Sequence, residues 1–123
     1  MRTITFRGLR TDGKGWAYGY YYEYSGKHII CWQNHSDNST TDHFAEVISN
    51  SVGQFTGLND KNGKEIYKGE ILYNNDRKEH CIVKYSKEKA MFIVKYLESN
   101  DEFPLWESIS NLCYSVGNIY ENP

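Results

Sequence analysis

Cysteine, proline and long apolar runs are all scarce in this sequence, and each scarcity removes a class of protein. The three cysteines, Cys31, Cys81 and Cys113, are an odd number with no C-x-x-C pair, so no disulfide framework is encoded. Each sits among β-prone neighbours, as in Ile30-Cys31-Trp32 and Cys81-Ile82-Val83, where a free thiol behaves as a small buried hydrophobe. Two prolines exclude a collagen-like chain. No window of about twenty apolar residues exists, so no helix is expected to span a bilayer. The opening Met1-Arg2-Thr3-Ile4-Thr5-Phe6-Arg7 lacks the apolar stretch of a secretory signal, which predicts a cytoplasmic protein. Charge is also nearly absent in net terms: 14 Lys+Arg against 16 Asp+Glu leave −2. That balance offers no global attraction to nucleic acid or anionic membrane.

Aromatic residues are abundant. They make up 15% of the 123 residues, eleven of them Tyr, although hydrophobic residues of all kinds reach only 39%. Mean hydropathy is −0.72. Large aromatics bury much area per residue, which argues against disorder. The polar remainder is rich in Gly, Asn, Asp and Ser, the vocabulary of turns, which excludes a helix bundle or coiled coil.

Strand signals dominate the chain. Ile4 and Phe6 alternate with Thr3, Thr5 and Arg7, predicting a first strand that buries the apolar pair. Trp16 to Tyr24 is strongly β-prone, Ser25-Gly26-Lys27 turns the chain, and His28 to Gln33 returns as the second arm of a hairpin. On the outgoing arm, alternation puts Tyr18, Tyr20, Tyr22 and Tyr24 on one face. Asn34 to Asp42 has no apolar residue and reads as an exposed loop. Asp42 to Asn50 fits either a short helix or an extended segment. Glu70–Tyr73, Cys81–Tyr85 and Met91–Tyr96 read as a three-strand meander, followed by a short helix near Trp106–Ile109 and a last strand over about Cys113–Tyr120. The expected class is all-β (mainly β): a small SH3-like or related barrel of short antiparallel strands, with at most one or two short helices. One domain over 1–123 is expected, with sub-units 1–50 and 51–123.

The run Val52-Gly53-Gln54-Phe55-Thr56-Gly57-Leu58-Asn59-Asp60-Lys61-Asn62-Gly63-Lys64-Glu65-Ile66-Tyr67-Lys68-Gly69-Glu70-Ile71 resembles the signature of the YopX family of phage- and prophage-encoded proteins. The start, Arg2 to Arg7, and the end, Val116-Gly117-Asn118-Ile119-Tyr120, resemble that family's opening strand and closing motif. The resemblance implies a mainly-β, phage-derived product working inside a bacterial cell, with no assigned biochemical role. It also favours extended chain over Glu46–Ser51. Within the motif, Gly53, Gly57, Gly63 and Gly69 suit positive φ or close backbone approach, and Thr56 and Asp60 suit bonds to backbone N–H groups in turns. Gln54, Glu65, Gly117 and Asn118 complete the set, which reads as structural. The polar Asn34–Asp42 insert and the tyrosine-dense strand depart from the family pattern.

Catalytic and ligand chemistry finds little support. His28, Cys31, His35 and His43 lie close in sequence, but His28 and Cys31 point to opposite faces of one strand. Gly63 cannot serve as the glycine of a calcium loop, because the register would place Leu58 and Gly69 at ligand positions. Gly63-Lys64-Glu65 lacks the hydroxyl of a phosphate loop. The expectation is a non-enzymatic module without metal or cofactor, binding a protein partner or a second copy of itself through Tyr18, Tyr20, Tyr22 and Tyr24. The alternative is a small barrel that stacks single-stranded nucleic acid on those tyrosines, with Arg77, Lys84 and Lys95 as cations.

Overall fold

The computed structural model describes residues 5–36 and 38–120. Ile4 and the other residues of the opening Met1–Ile4 segment lie outside them. The chain divides into two compact units, Met1–Gln54 and Phe55–Pro123.

In the N-terminal unit, β1 (Phe6–Leu9), β2 (Trp16–Tyr24), β3 (Lys27–Ser36) and β4 (Ser39–Val47) pair antiparallel in the order β4-β3-β2-β1. The first residues of β5 (Gly53–Asn59) pair with β1, Arg7 opposite Gly53. The β2–β3 turn places Ser25 and Gly26 at φ 52° and 77°, the doubly left-handed pair that matches strand twist in a two-residue hairpin. Strand β2 serves two partners. Its first half, through Gly19, pairs with β1, and its second half, from Tyr20, pairs with β3. Gly19 stands at that corner, where a Cβ would fall on the carbonyl oxygen of Cys31. The core here is built from Ala17, Ile30, Ala45 and Val47, with Phe6, Tyr21, Trp32 and Val52 packed around them.

Two expectations for this unit need correction, and a third, left open between helix and extended chain, is decided. Asn34 to Asp42 is not a loop: β3 and β4 run through it as a hairpin closing between Ser36 and Ser39. Its strands lack an apolar face, and cross-strand polar bonds replace one. Gln33 Nε2 donates to Asp42 Oδ1 at 2.9 Å, while His35 and Asn34 reach Thr40 and His43 at 3.1 and 3.0 Å. Arg7 is buried, at 3% exposure, where alternation had placed it outside. Its guanidinium lies over the Trp16 ring at 4.2 Å, an arrangement that covers the cation's flat face with an aromatic one. The ambiguous stretch is extended through Val47 and then makes one 3-10 turn over Ser49–Ser51.

In the C-terminal unit, the rest of β5 pairs with β6 (Glu65–Tyr67). A five-stranded sheet follows in the order β10-β9-β8-β7-β11, from β7 (Glu70–Asn74), β8 (Glu79–Ser86), β9 (Met91–Tyr96), β10 (Glu102–Pro104) and β11 (Cys113–Asn118). The expected meander is β7-β8-β9. Pro104, which cannot donate to a ladder, sits on the edge strand β10. A short helix, α1 (Glu107–Ser110), lies where expected. Ile66, Leu72, Cys81, Val83, Val94, Tyr96, Leu105 and Cys113 form the core. Tyr96 is 1% exposed, so its hydroxyl needs a partner, and Asn74 Nδ2 donates to it at 2.9 Å.

The all-β class holds. Among the described residues, no closed SH3-like barrel forms. The sheets are open, and in the N-terminal unit the return from β4 to β1 amounts to one isolated bridge, Arg10 to Val47. The polar β3–β4 hairpin extends past that bridge, so the ladder that would close a barrel stops short.

Candidate functional site

The tyrosines meet the expectation of a shared face. Tyr18, Tyr20, Tyr22 and Tyr24 are 47, 70, 38 and 70% exposed, whereas Ala17, just before them, is buried and Tyr21, among them, packs on the core. Strand pairing adds residues that the sequence reading left aside. Tyr20 stands opposite Cys31, and Cys31 opposite Phe44, so these three side chains rise side by side from three adjacent strands. Phe44 is 62% exposed. Ile29 stands between Tyr22 and Glu46 in the next row, and Gln33 is paired with Asp42 on the other side. Tyr20, Cys31, Trp32, Gln33, Asp42 and Phe44 line a shallow cavity of about 280 Å³. The strand alternation Asp42-x-Phe44-x-Glu46 was the signal for this second wall. It was obscured because Asp42 to Asn50 suits a helical spacing equally well.

The opposite face is occupied by internal contacts. The Tyr21 hydroxyl lies 2.6 Å from His28 Nδ1 and donates to Glu23 Oε1 at 3.1 Å. Burial, and then the Glu23 carboxylate, push the Tyr21 phenol up from its ordinary value. His43 stacks on Trp32 with centroids 5.5 Å apart. His28 and His43 are thus engaged with aromatic partners, and His35 with Thr40. Among the described residues, no three metal-ligating side chains converge.

The three thiols have different environments. Cys81 and Cys113 are fully buried, whereas Cys31 is half-buried at the floor of the aromatic cavity. The hydrogen bond with Cys113, and then burial, push the Cys81 thiol far above its ordinary value. The same bond pulls the Cys113 thiol down, but both side chains are closed off from solvent and out of reach of a reagent. Alkylation of the native protein with iodoacetamide is therefore expected to modify Cys31 and spare the other two until denaturant is added. Peptide mass mapping checks this, and equal modification of Cys81 would refute it.

The family-motif residues build the C-terminal unit's turns, with Gly53 and Gln54 at the start of β5 paired to β1. Thr56 Oγ1 donates to the Ile66 carbonyl at 2.8 Å and accepts from Leu58 N–H at 3.2 Å. Asp60 is buried and accepts from three backbone N–H groups: Asn62 and Lys64 on Oδ1, and Ser115 on Oδ2, each at 2.9 Å. Gly57 and Gly63 take left-handed φ of 87° and 84°. Gly69 does so at 92°, and a Cβ there would come within 2.5 Å of the Tyr120 ring. Glu65 accepts from the Tyr67 hydroxyl at 3.2 Å. Gly117 lies at the β11 bulge, and Asn118 Oδ1 accepts from Tyr120 N–H at 2.9 Å. Asp60 and Glu65 also border a polar hollow with Glu107 and Asn111. Asp60, the buried carboxylate there, is committed to backbone N–H groups.

The cations suggested for nucleic acid belong to the C-terminal unit, not to the tyrosine sheet. Arg77 is held by Glu79 and Asp101 at 2.8 and 3.0 Å, and lies over the Tyr96 ring at 4.0 Å. Hydrogen bonding to Arg77 holds the Glu79 carboxyl below its usual range.

A family model described as YopX protein matches residues 5–123. The fold is similar to that in the crystal structure of protein EF1440 from Enterococcus faecalis. That match has a TM-score of 0.65 and 21% identity, covering 100% of this chain and 97% of that one. At such identity the likeness concerns the fold alone. No curated protein matches.

Proposed function

This chain belongs to the YopX family, and we propose that it acts as a non-enzymatic interaction module that docks a partner protein on the tyrosine face of its N-terminal unit. One observation carries the reading: Tyr18, Tyr20, Tyr22, Tyr24 and Phe44 stand exposed on one face of β2–β4. Soluble proteins seldom leave a contiguous aromatic surface in water without a partner for it, and tyrosine is enriched where proteins meet. The commitment of Asp60 to backbone supports a non-catalytic reading. A phage-derived origin and a cytoplasmic setting in the bacterial host belong to the same proposal, following from what the family resemblance implies. Among the described residues, no helix is long and apolar enough to cross a membrane. Single-stranded nucleic acid is the weaker occupant, because the charges flanking Phe44 on its strand face are the carboxylates Asp42 and Glu46.

The double variant Tyr20→Ser/Tyr24→Ser tests this. Both rings are 70% exposed, so folding stability is expected to fall by less than about 1 kcal/mol. Pull-downs from bacterial lysate with wild-type and variant bait, each checked by circular dichroism, are expected to lose the retained partner only in the variant. A partner retained equally by both sinks the proposal.

A further inference from the structure

The geometry of the tyrosine face points to the chemistry of its partner. We propose that the notch between Tyr20 and Phe44, above Cys31, receives an arginine or lysine side chain from an extended basic segment of the partner protein. This rests on the interaction reading above and names its ligand class.

Tyr20 and Phe44 flank Cys31 from the neighbouring strands, so their backbones are two strand spacings apart, about 10 Å. The short Cys31 side chain leaves the space between the two rings open. A cation centred there lies within about 6 Å of both rings, the range in which a ring face attracts positive charge. Asp42 stands beside the notch, exposed, with Oδ1 accepting from Gln33, so a carboxylate faces the same space. Glu46 follows on the same strand face, four residues on and about 13 Å away in an extended strand. An extended ligand with basic residues four apart can therefore meet Asp42 and Glu46 in turn while its backbone lies along the tyrosines.

Charge complementarity selects this occupant. Among the described residues, the other charges on this face are Lys27, beside Tyr24 at the hairpin end, and Arg7, buried against Trp16. Arg10 lies 6.0 Å from the Trp32 ring, and Asp12 pairs with it at 2.7 Å. The exposed centre of the face is thus aromatic and acidic. Such a surface suits a basic chain and repels a phosphate backbone or an acidic peptide.

The test is fluorescence anisotropy at low ionic strength with a labelled heptapeptide carrying arginine at positions two and six and threonine elsewhere. The same peptide with glutamate at those positions, and a fifteen-nucleotide oligothymidylate, serve as comparisons. The arginine peptide is expected to bind saturably and to protect Cys31 from alkylation. Its affinity is expected to fall at least tenfold in Phe44→Ala, in Asp42→Asn/Glu46→Gln, and in Cys31→Phe, which fills the notch. Circular dichroism confirms that each variant is folded. No binding, equal binding of the glutamate peptide, binding of the oligonucleotide in its place, or variants that bind like wild type would each overturn the inference. If the arginine peptide fails while Tyr20→Ser/Tyr24→Ser still loses the lysate partner, the cationic ligand falls and the interaction module stands. If that variant also keeps the partner, both fall.

Discussion

Asp60→Ala is expected to destabilise the C-terminal unit by about 3 kcal/mol or more, because it leaves three backbone N–H groups without their acceptor. Each orphaned donor in a partly buried site costs about 1 kcal/mol at the low end of the measured range. Neighbouring bonds depend on the same loop. Lys61 N–H donates to the Cys113 carbonyl at 2.9 Å, and Lys64 Nζ reaches Ser115 Oγ at 3.2 Å, so the motif turn is fastened to β11 through several points at once. For a unit of this size the loss corresponds to a melting temperature lower by roughly 10 °C or more. Asp60→Asn separates the two halves of the effect. Its remaining oxygen can keep the Asn62 and Lys64 bonds, but its amide then meets Ser115 N–H donor to donor, and about half the loss is expected. Thermal melts followed by circular dichroism measure the size. Hydrogen exchange shows whether the C-terminal unit is the one that opens. A melt of Asp60→Ala within 1 or 2 °C of wild type (about the span of an ordinary surface change) would mean that Asp60 does not anchor the motif.

Gly19→Ala is expected to damage the N-terminal unit to a similar degree, for a steric reason. The added methyl would land on the Cys31 carbonyl oxygen, with the Cys31 carbonyl carbon 3.0 Å away and the Trp32 Cβ at 3.2 Å. Backbone cannot rotate aside as a side-chain tip can, so β2 and β3 must separate where the aromatic face begins. Overpacking of this kind costs about 3 kcal/mol when the obstacle is rigid. Gly13→Ala is the matched control. Its φ is 78° and nothing lies within 4 Å of the new methyl, so it pays only the left-handed penalty of about 1–2 kcal/mol. Urea titrations should therefore rank Gly19→Ala well below Gly13→Ala. The reverse order would show that β2 does not turn tightly against β3 at Gly19.

The two predictions bear on different kinds of legibility. Asp60 was readable because its work is local: an Asx turn over Asn62 and Lys64 is written within five residues, in side chains whose turn chemistry is known. Only its third bond, to Ser115, depended on the fold. Gly19 looked like one more residue in a β-prone run. Its importance arises because β2 changes partner there, and partner choice leaves no trace in the alternation of one strand. The Asn34–Asp42 segment failed for a related reason. Its strands are held by bonds between polar side chains on facing strands, so the apolar period that marks a strand is missing.

By itself, the sequence determined the class, most of the strands, the Ser25-Gly26 hairpin and the common face of Tyr18, Tyr20, Tyr22 and Tyr24. Each of these follows from turn chemistry or from the two-residue period of an extended chain. The tertiary structure alone decided that Phe44 stands across Cys31 from Tyr20, that Asp42 and Glu46 flank it, and that Arg7 is buried. Those outcomes depend on the register between strands distant in sequence, which is set by the joint packing of whole sheets. The scarce cysteines show the same division. The sequence identified three unpaired thiols, and the pairing of strands buried two of them and left Cys31 at the floor of an aromatic notch.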